Sequence, residues 1–187
     1  KAFSLATLSR LGLPVPPAFI VSSIAYTRFL QESELFKSID EKLALLSVKD
    51  SEALEKVAKE IQEAILAQPM SETLQEEICE AYDALNVDPT IRGTKAEALV
   101  SSGRDLPFVA VRSSLVGEDV SLLSGQQASY LQMRGKKQVL AAIKACWASL
   151  FTPRAIYSRE KHSHLHKHAS IAVIVQKMVS SEVSGLM

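Results

Sequence analysis

A polar stretch in the middle of the chain holds the residue types best suited to grip an anion. The apolar residues 109–111 are followed by Arg112, Ser113 and Ser114, and a glycine-containing segment, SGQQ, follows at 124–127. A guanidinium is a planar fork of donors that fits two phosphate oxygens at once. Serine hydroxyls and backbone N–H groups exposed by glycine can complete such a cradle. The pattern favours a phosphate site in a loop that follows a short strand.

A second interpretation of the same stretch is purely structural. Arg112 could pair with Glu118 or Asp119, both a few residues away, at an ordinary junction between a strand and a turn. Local chemistry alone leaves the two interpretations open.

Two further places could contact a nucleotide. Lys1 directly precedes a helix pattern, where its ammonium could meet a phosphate near the helix N-terminus, although a frayed terminal residue is the alternative. An apolar, β-branched run ends at Gln176, Lys177 and Met178. A strand end of this kind can offer backbone N–H and C=O groups to a purine edge, with methionine as an adaptable wall. An ordinary edge turn is the competing interpretation.

All four histidines fall in KHSHLHKH, residues 161–168. On a helix, His162 with His166 and His164 with His168 would have the i,i+4 spacing that can bind zinc. No cysteine or acidic residue joins them and lysines flank them, so a solvated basic helix end is favoured and no metal ligand is assigned. The GxxxxGK[ST], GxGxxG, HExxH and paired CxxC motifs are absent, which leaves P-loop, dinucleotide-binding, zinc-hydrolase and structural-zinc interpretations without support.

Composition excludes several classes of protein. Of 187 residues, 47% are hydrophobic and 22% charged, as in ordinary globular domains, and 21 basic residues balance 21 acidic ones. Zero net charge argues against a nucleic-acid-binding surface. No apolar run approaches the roughly 18 residues of a membrane span. Cys79 and Cys146 lie on apolar helix patterns, so we expect free thiols and a cytoplasmic protein.

Apolar periodicity predicts mixed secondary structure, of the α/β or α+β class. The expected helices occupy residues 2–11 with Gly12 as the C-cap, a segment opened by Ser22 or Ser23, three amphipathic stretches within 34–86 (including 51–67 and 71–85), a segment after Gly135, and a segment from Thr152 to about 161. The expected strands occupy 18–21, the run before Arg112, 170–175, and a last one beginning at Val183. Three prolines within 14–17 require an extended passage.

The chain resembles the N-terminal nucleotide-binding domain of the dikinase family, which includes phosphoenolpyruvate synthase, pyruvate phosphate dikinase and rifampin phosphotransferases. The segments that carry the resemblance occur in order along nearly the whole chain. They are KAFSL (1–5), GLPVPPAFIV (12–21), VRSSLVGEDVSLLSGQQ (111–127), and CWASLFTPRA (146–155) with VQKMV (175–179) and EVSG (182–185).

The resemblance implies a partial ATP-grasp domain over residues 1–187, with a helical segment at about 34–90 and a phosphate-loop and adenine-hinge region at about 108–187. It implies that Lys1 and Arg112 contact the ATP phosphates, that Gly125 and Ser129 lie in a phosphate-covering loop, and that Gln176 and its neighbours form the adenine hinge. The implied ATP-binding residues are Lys1, Arg112, Ser113, Gly125, Ser129, Gln176 and Met178.

The implied chemistry is phosphoryl transfer from ATP, with Mg²⁺ neutralising phosphate charge. The phosphoryl group would pass to a histidine on a separate swivelling domain of the same parent protein, and then to pyruvate. A rifampin-type acceptor and a non-catalytic nucleotide-sensing module are the alternatives. The loop between Asp119 and Gly125 is shorter than is usual in the family, and Ser129 replaces the common threonine. We expect a fragment of a larger protein that is inactive alone, because late metal ligands and the histidine domain are not among these residues.

Overall fold

A computed structural model of the chain describes residues 2–85, 106–116, 128–161, 169–183 and 185. Helix α1, Ala2–Arg10, ends as its sequence predicts: Gly12 adopts a φ of +74°, and the Leu13 N–H donates to the Leu8 carbonyl oxygen at 3.1 Å. A residue with a Cβ would be strained at that φ, which explains the glycine. The proline passage then leads without regular structure into strand β1, Ala18–Val21.

Four amphipathic helices follow, and the predicted pattern is confirmed. Helix α2, Ser23–Glu32, is capped by Ser22. The next three helices bury the apolar residues that recur every three or four positions. They are α3 (Leu35–Ala44), α4 (Ser51–Ala67) and α5 (Glu72–Ala84). The side chain of Asp50 caps α4 by accepting from the backbone N–H groups of Glu52 and Ala53, each at 3.1 Å.

A four-stranded antiparallel sheet forms the other half of the fold, so the class is α+β, as expected for a mixed pattern. Strand β2 is Val109–Val116, β3 is Ser129–Met133 and β4 is Ser170–Lys177, and the order across the sheet is β1-β4-β2-β3. Strand β3 was not predicted from the sequence. Beyond β4 the chain bends, and Val183, where a last strand was expected, is exposed and outside any strand.

Two helices between β3 and β4 complete the described elements. Helix α6, Lys136–Ala148, continues into a 3₁₀ turn, Ser149–Phe151, and helix α7, Pro153–Lys161, begins after Thr152, as predicted. The Thr152 hydroxyl accepts from the Ala155 N–H at 3.3 Å. No single helix in the described ranges is long and apolar enough to cross a membrane, although α6 with its 3₁₀ turn and α7 pass that test jointly, with a bend of 43°.

The core lies between one face of the sheet and the helices. Trp147 of α6 is fully buried, with its ring centroid 4.9 Å from that of Phe29 and 5.9 Å from that of Tyr26. Lys144 of α6 reaches the end of α4, where its ammonium donates to the carbonyl oxygens of Leu66 at 2.6 Å and Gln68 at 3.0 Å. A cation at a helix C-terminus satisfies carbonyls that have no partner within the helix.

Candidate functional site

Strand β2 sends alternate side chains to opposite faces of the sheet. Val109, Val111 and Ser113 point into the core and are essentially fully buried. Arg112 lies on the other face, because successive residues of a strand alternate. We call this side the Arg112 face. By strand register it carries Ala18, Ile20, Ala110, Arg112, Ser114, Ser129, Ala172, Ile174 and Gln176.

Arg112 lies inside a strand, and its predicted place in a loop is wrong. The pairing of β2 with β4 continues to Val116, opposite Ser170, so Arg112, Ser113 and Ser114 are all strand residues. Ladder hydrogen bonds along β4 override the turn preference of serine. The Arg112 side chain is half-buried, and no ion pair joins it to a carboxylate in the described part of the chain. Glu118 and Asp119, its alternative partners, lie outside the described residues.

Ser113 does not share the face of Arg112. Its side chain is 1% exposed, and both its hydroxyl, at 3.1 Å, and its backbone N–H, at 3.0 Å, donate to the carbonyl oxygen of Ala128. The interpretation of this hydroxyl as a phosphate ligand does not fit that placement. The bonds instead fasten the start of β3 to β2.

Ser129 belongs to strand β3, and its expected place in a covering loop does not fit that strand. It stands directly opposite Arg112 in the β2–β3 ladder and is exposed. Directly opposed residues in an antiparallel pair project from the same face. Arg112 and the Ser129 hydroxyl are therefore neighbours on one surface. Gly125 and Lys1 lie outside the described residues, as does the histidine cluster at 162–168.

Gln176 lies on the Arg112 face at the end of β4, opposite Ala110 on one side and Ala18 on the other. Its side chain is buried, and Nε2 donates to the Pro16 carbonyl oxygen at 3.4 Å. The adjacent Lys177 N–H donates to the Pro17 carbonyl oxygen at 2.9 Å. The proline passage is thus tied to the strand end where the adenine hinge was predicted.

An open cleft of about 350 Å³ begins where β4 ends, and Met178 is one of its walls. Its other lining residues are Phe108, Gln132, Val179 and Ser180. The Met178 N–H donates to the Phe108 carbonyl oxygen at 2.8 Å, and the Met178 sulfur accepts from the Gln132 N–H at 3.2 Å. In the described part of the chain, no hydrogen bond engages the amide groups of Val179 or Ser180. These N–H and C=O groups are open to a ligand with a polar edge.

No local pattern marks Phe108 and Gln132 as site residues, because they reach the cleft only through tertiary pairing. Gln132 has a φ of +57° at a shift in the β2–β3 register. Left-handed backbone is uncommon for residues other than glycine, and strained residues of this kind concentrate at functional sites.

Helix α1 lies against the β1 side of the Arg112 face. Its residues Leu5 and Ser9 line a depression of about 250 Å³ together with Ile20 and Ile174 of that face. Since α1 begins at Ala2, the start of this helix lies immediately after Lys1. A helix start is positively polarised and suits a bound anion, which keeps the predicted role of Lys1 open as a proposal.

Comparison with known proteins identifies the family. All residues, 1–187, match the AMP/ATP-binding domain of pyruvate phosphate dikinase. The phosphoenolpyruvate synthase of Aeropyrum pernix is 38% identical, and a probable phosphoenolpyruvate synthase of Archaeoglobus fulgidus is 40% identical. The rifampicin phosphotransferase of Bacillus cereus is 33% identical.

Each of these alignments covers all of this chain but only 22%, 23% and 20% of the respective relative. The chain therefore spans about a fifth of the length of the curated relatives it matches. The resemblance inferred from the sequence motifs is confirmed. Because the match runs from the first residue to the last, the chain belongs to the pyruvate phosphate dikinase AMP/ATP-binding domain family.

Proposed function

We propose that the Arg112 face binds ATP, and that the protein containing this chain is a phosphotransferase resembling phosphoenolpyruvate synthase. One observation carries the proposal. Arg112 shares a sheet face with Gln176. Arg112 is a half-buried cation that has no carboxylate partner within the described ranges. Gln176 leads into the open cleft, where no hydrogen bond within the described ranges engages the amide groups of Val179 and Ser180. A single nucleotide laid across this face could place its phosphates and its base at these two ends.

The phosphate end is built on Arg112 and Ser129. A guanidinium can hold two phosphate oxygens, and the hydroxyl opposite it can donate to a third. The partial burial of Arg112 strengthens the charge interaction, because less water screens it. The family resemblance adds Lys1 and Gly125 to this end of the site. The Ser113 hydroxyl is not part of this end, since it faces the core.

The base end is built on the chain that leaves β4. Adenine presents a donor and acceptor edge and two flat apolar faces. The amides of Val179 and Ser180 supply complementary polar groups, while Phe108 and Met178 supply apolar contact area. Ligand pockets of this kind combine apolar walls with a few backbone groups that fix orientation.

Mg²⁺ is expected from the resemblance, but its ligands are not assigned to this chain. The described residues contain no group of three or more histidine, cysteine or acidic side chains that could hold a metal ion. In this proposal the chain's own residues bind and orient ATP, and Arg112 stabilises negative charge on the transferring phosphoryl group.

In the whole protein, we propose that the phosphoryl group passes to a histidine on a separate swivelling domain and from there to pyruvate. Within residues 1–187 no histidine is assigned as that acceptor, so this segment alone should not support net transfer. The identity to a rifampicin phosphotransferase, 33% over the whole chain, makes an antibiotic acceptor the second candidate.

The test uses the complete protein and ATP carrying radiolabelled phosphoryl groups. We expect the protein to acquire a label that is labile in acid and stable in base, as phosphohistidine is. When pyruvate is added, the labelled phosphoryl group should be transferred to it and appear in phosphoenolpyruvate. Discharge to rifampicin instead would support the second candidate. ATP binding without any protein label would support the non-catalytic module and overturn the enzymatic proposal.

A further inference from the structure

The segment that enters β2 is held by three residues that are far apart in the sequence. The carbonyl oxygens of Leu106, Pro107 and Phe108 are consecutive, and each accepts one hydrogen bond. The donors are Arg134 Nε to Leu106 at 3.1 Å, Tyr82 Oη to Pro107 at 2.7 Å, and Met178 N to Phe108 at 2.8 Å. Fixing three successive peptide groups leaves the backbone at Phe108 little freedom.

The Phe108 ring contacts a cation and also lines the cleft. The guanidinium carbon of Arg134 lies 5.1 Å from the ring centroid, within the range of a cation–π contact. Phe108 itself is 49% exposed and lines the cleft, whereas Arg134 is not among the cleft-lining residues. The guanidinium thus contacts the ring without lining the cleft.

Arg134 is itself anchored at the start of α6. Its backbone N–H donates to Gln138 Oε1 at 2.9 Å. The next residue, Gly135, has a φ of +84° and donates its N–H to Tyr82 Oη at 2.9 Å. Tyr82 is fully buried, so its hydroxyl joins this turn to Pro107 inside the protein.

We propose that Phe108 is the stacking platform for the nucleotide base, and that Arg134 is a positioning residue that holds the platform. The proposal rests on the ATP site described above and adds to it the residues that determine recognition of the base. A large aromatic side chain that is half exposed at the mouth of an open cleft offers a flat apolar surface. Stacking against that surface suits any ligand with a π face.

The experiment compares two probes in the complete protein: ATP, and inorganic tripolyphosphate, which has no base. We measure the dissociation constant of each probe by calorimetry for wild type, Phe108→Ala, Phe108→Trp and Arg134→Ala. The stoichiometry of tripolyphosphate binding measures the fraction of correctly folded sites in each sample. The ratio of the two dissociation constants is therefore independent of partial unfolding. Lys137→Ala, which removes an exposed cation close by on α6, is the matched control.

Phe108→Ala should weaken ATP binding by about five- to a hundredfold, the scale of base–aromatic stacking, while tripolyphosphate binding stays unchanged. Phe108→Trp should retain ATP binding. Arg134→Ala should weaken ATP binding by about two- to tenfold, the scale of a cation–π contact, again without effect on tripolyphosphate. A double variant, Phe108→Ala with Arg134→Ala, should weaken ATP binding by less than the product of the two single-variant factors, because Arg134 acts through Phe108.

Two results would overturn this inference while leaving the ATP site standing. One is an unchanged ratio of the two constants in Phe108→Ala. The other is a loss of tripolyphosphate binding in Arg134→Ala, which would make Arg134 a phosphate ligand. Failure of the wild-type protein to bind ATP would overturn the proposed function as well.

Discussion

Arg112 and Ser129 stand directly opposite each other across the antiparallel β2–β3 ladder. Their side chains consequently leave the sheet on the same face, although the two residues are far apart in the chain. On its other side Arg112 is opposite Ile174 of β4, two residues before Gln176. This register places a guanidinium, a hydroxyl and the start of the cleft on one surface.

Arg112→Ala in the complete protein should weaken ATP binding and leave folding largely intact. Hydrogen bonds to charged groups contribute about 1.5–3 kcal/mol, so the dissociation constant should rise by about ten- to more than a hundredfold. Arg112→Lys should restore only part of the affinity, because an ammonium cannot reproduce the bidentate fork. Calorimetric titration with ATP measures both variants.

The structural alternative for Arg112 gives the opposite pattern. If the guanidinium serves only to pair with Glu118 or Asp119, alanine should lower the melting temperature. ATP affinity, measured below that temperature, should then equal that of wild type. This pattern would remove Arg112 from the site.

Tyr82→Phe should destabilise the protein by about 1–3 kcal/mol. The hydroxyl donates to the Pro107 carbonyl oxygen and accepts from the Gly135 N–H, and its removal leaves buried polar groups unpaired. Denaturant unfolding measures the change, and faster hydrogen exchange at Gly135 localises it. Tyr157→Phe is the matched control, since Tyr157 is 46% exposed, and it should change stability by less than about 0.5 kcal/mol. Equal effects of the two variants would contradict this account of Tyr82.

Asp50→Ala should destabilise the protein by about 1 kcal/mol, the usual cost of losing a side-chain N-cap. The Asp50 carboxylate accepts from two backbone N–H groups at the start of α4. Asp50→Asn retains an acceptor oxygen and should recover most of the loss. If Asp50→Asn is as unstable as Asp50→Ala in unfolding experiments, the charge of Asp50, and not its capping hydrogen bonds, is the relevant property.

The two cysteines should differ in their reaction with iodoacetamide. Partial burial raises the pKa of the Cys79 thiol above its ordinary value of 9.0, because the thiolate loses hydration. The thiolate fraction at pH 8 is therefore smaller than in a free cysteine, and modification should accelerate only as the pH passes this raised value. Cys146 is fully buried and should react only on unfolding. Peptide mapping by mass spectrometry measures both rates. Modification of Cys79 at pH 7 as fast as that of an unstructured cysteine peptide would contradict the prediction.

Local signals in the sequence were sufficient for the helices. The predicted range 51–67 for α4 coincides with the observed helix, because apolar periodicity sets its buried face and Asp50 supplies its cap. Gly12 and Thr152 likewise mark helix ends through preferences that depend only on neighbouring residues.

The sheet and the cleft could be predicted only in part. Ser113 and Ser114 suggested a loop, yet pairing with β4 keeps them in a strand. Strand β3 has a weak apolar alternation and is defined by its pairing with β2. Phe108 and Gln132 meet Met178 only in the folded chain, so no local pattern could have revealed the cleft.

Amide hydrogen exchange in the complete protein, with and without saturating ATP, tests the central claim most directly. If ATP lies across the Arg112 face, peptides that contain residues 108–112 and 176–180 should exchange more slowly with ATP, and Val179 and Ser180 should show the largest change. The helices between residues 35 and 84 should be unaffected. If calorimetry confirms that ATP binds, but exchange slows only in those helices, the nucleotide lies elsewhere. That result would contradict the assignment of the ATP site to the Arg112 face.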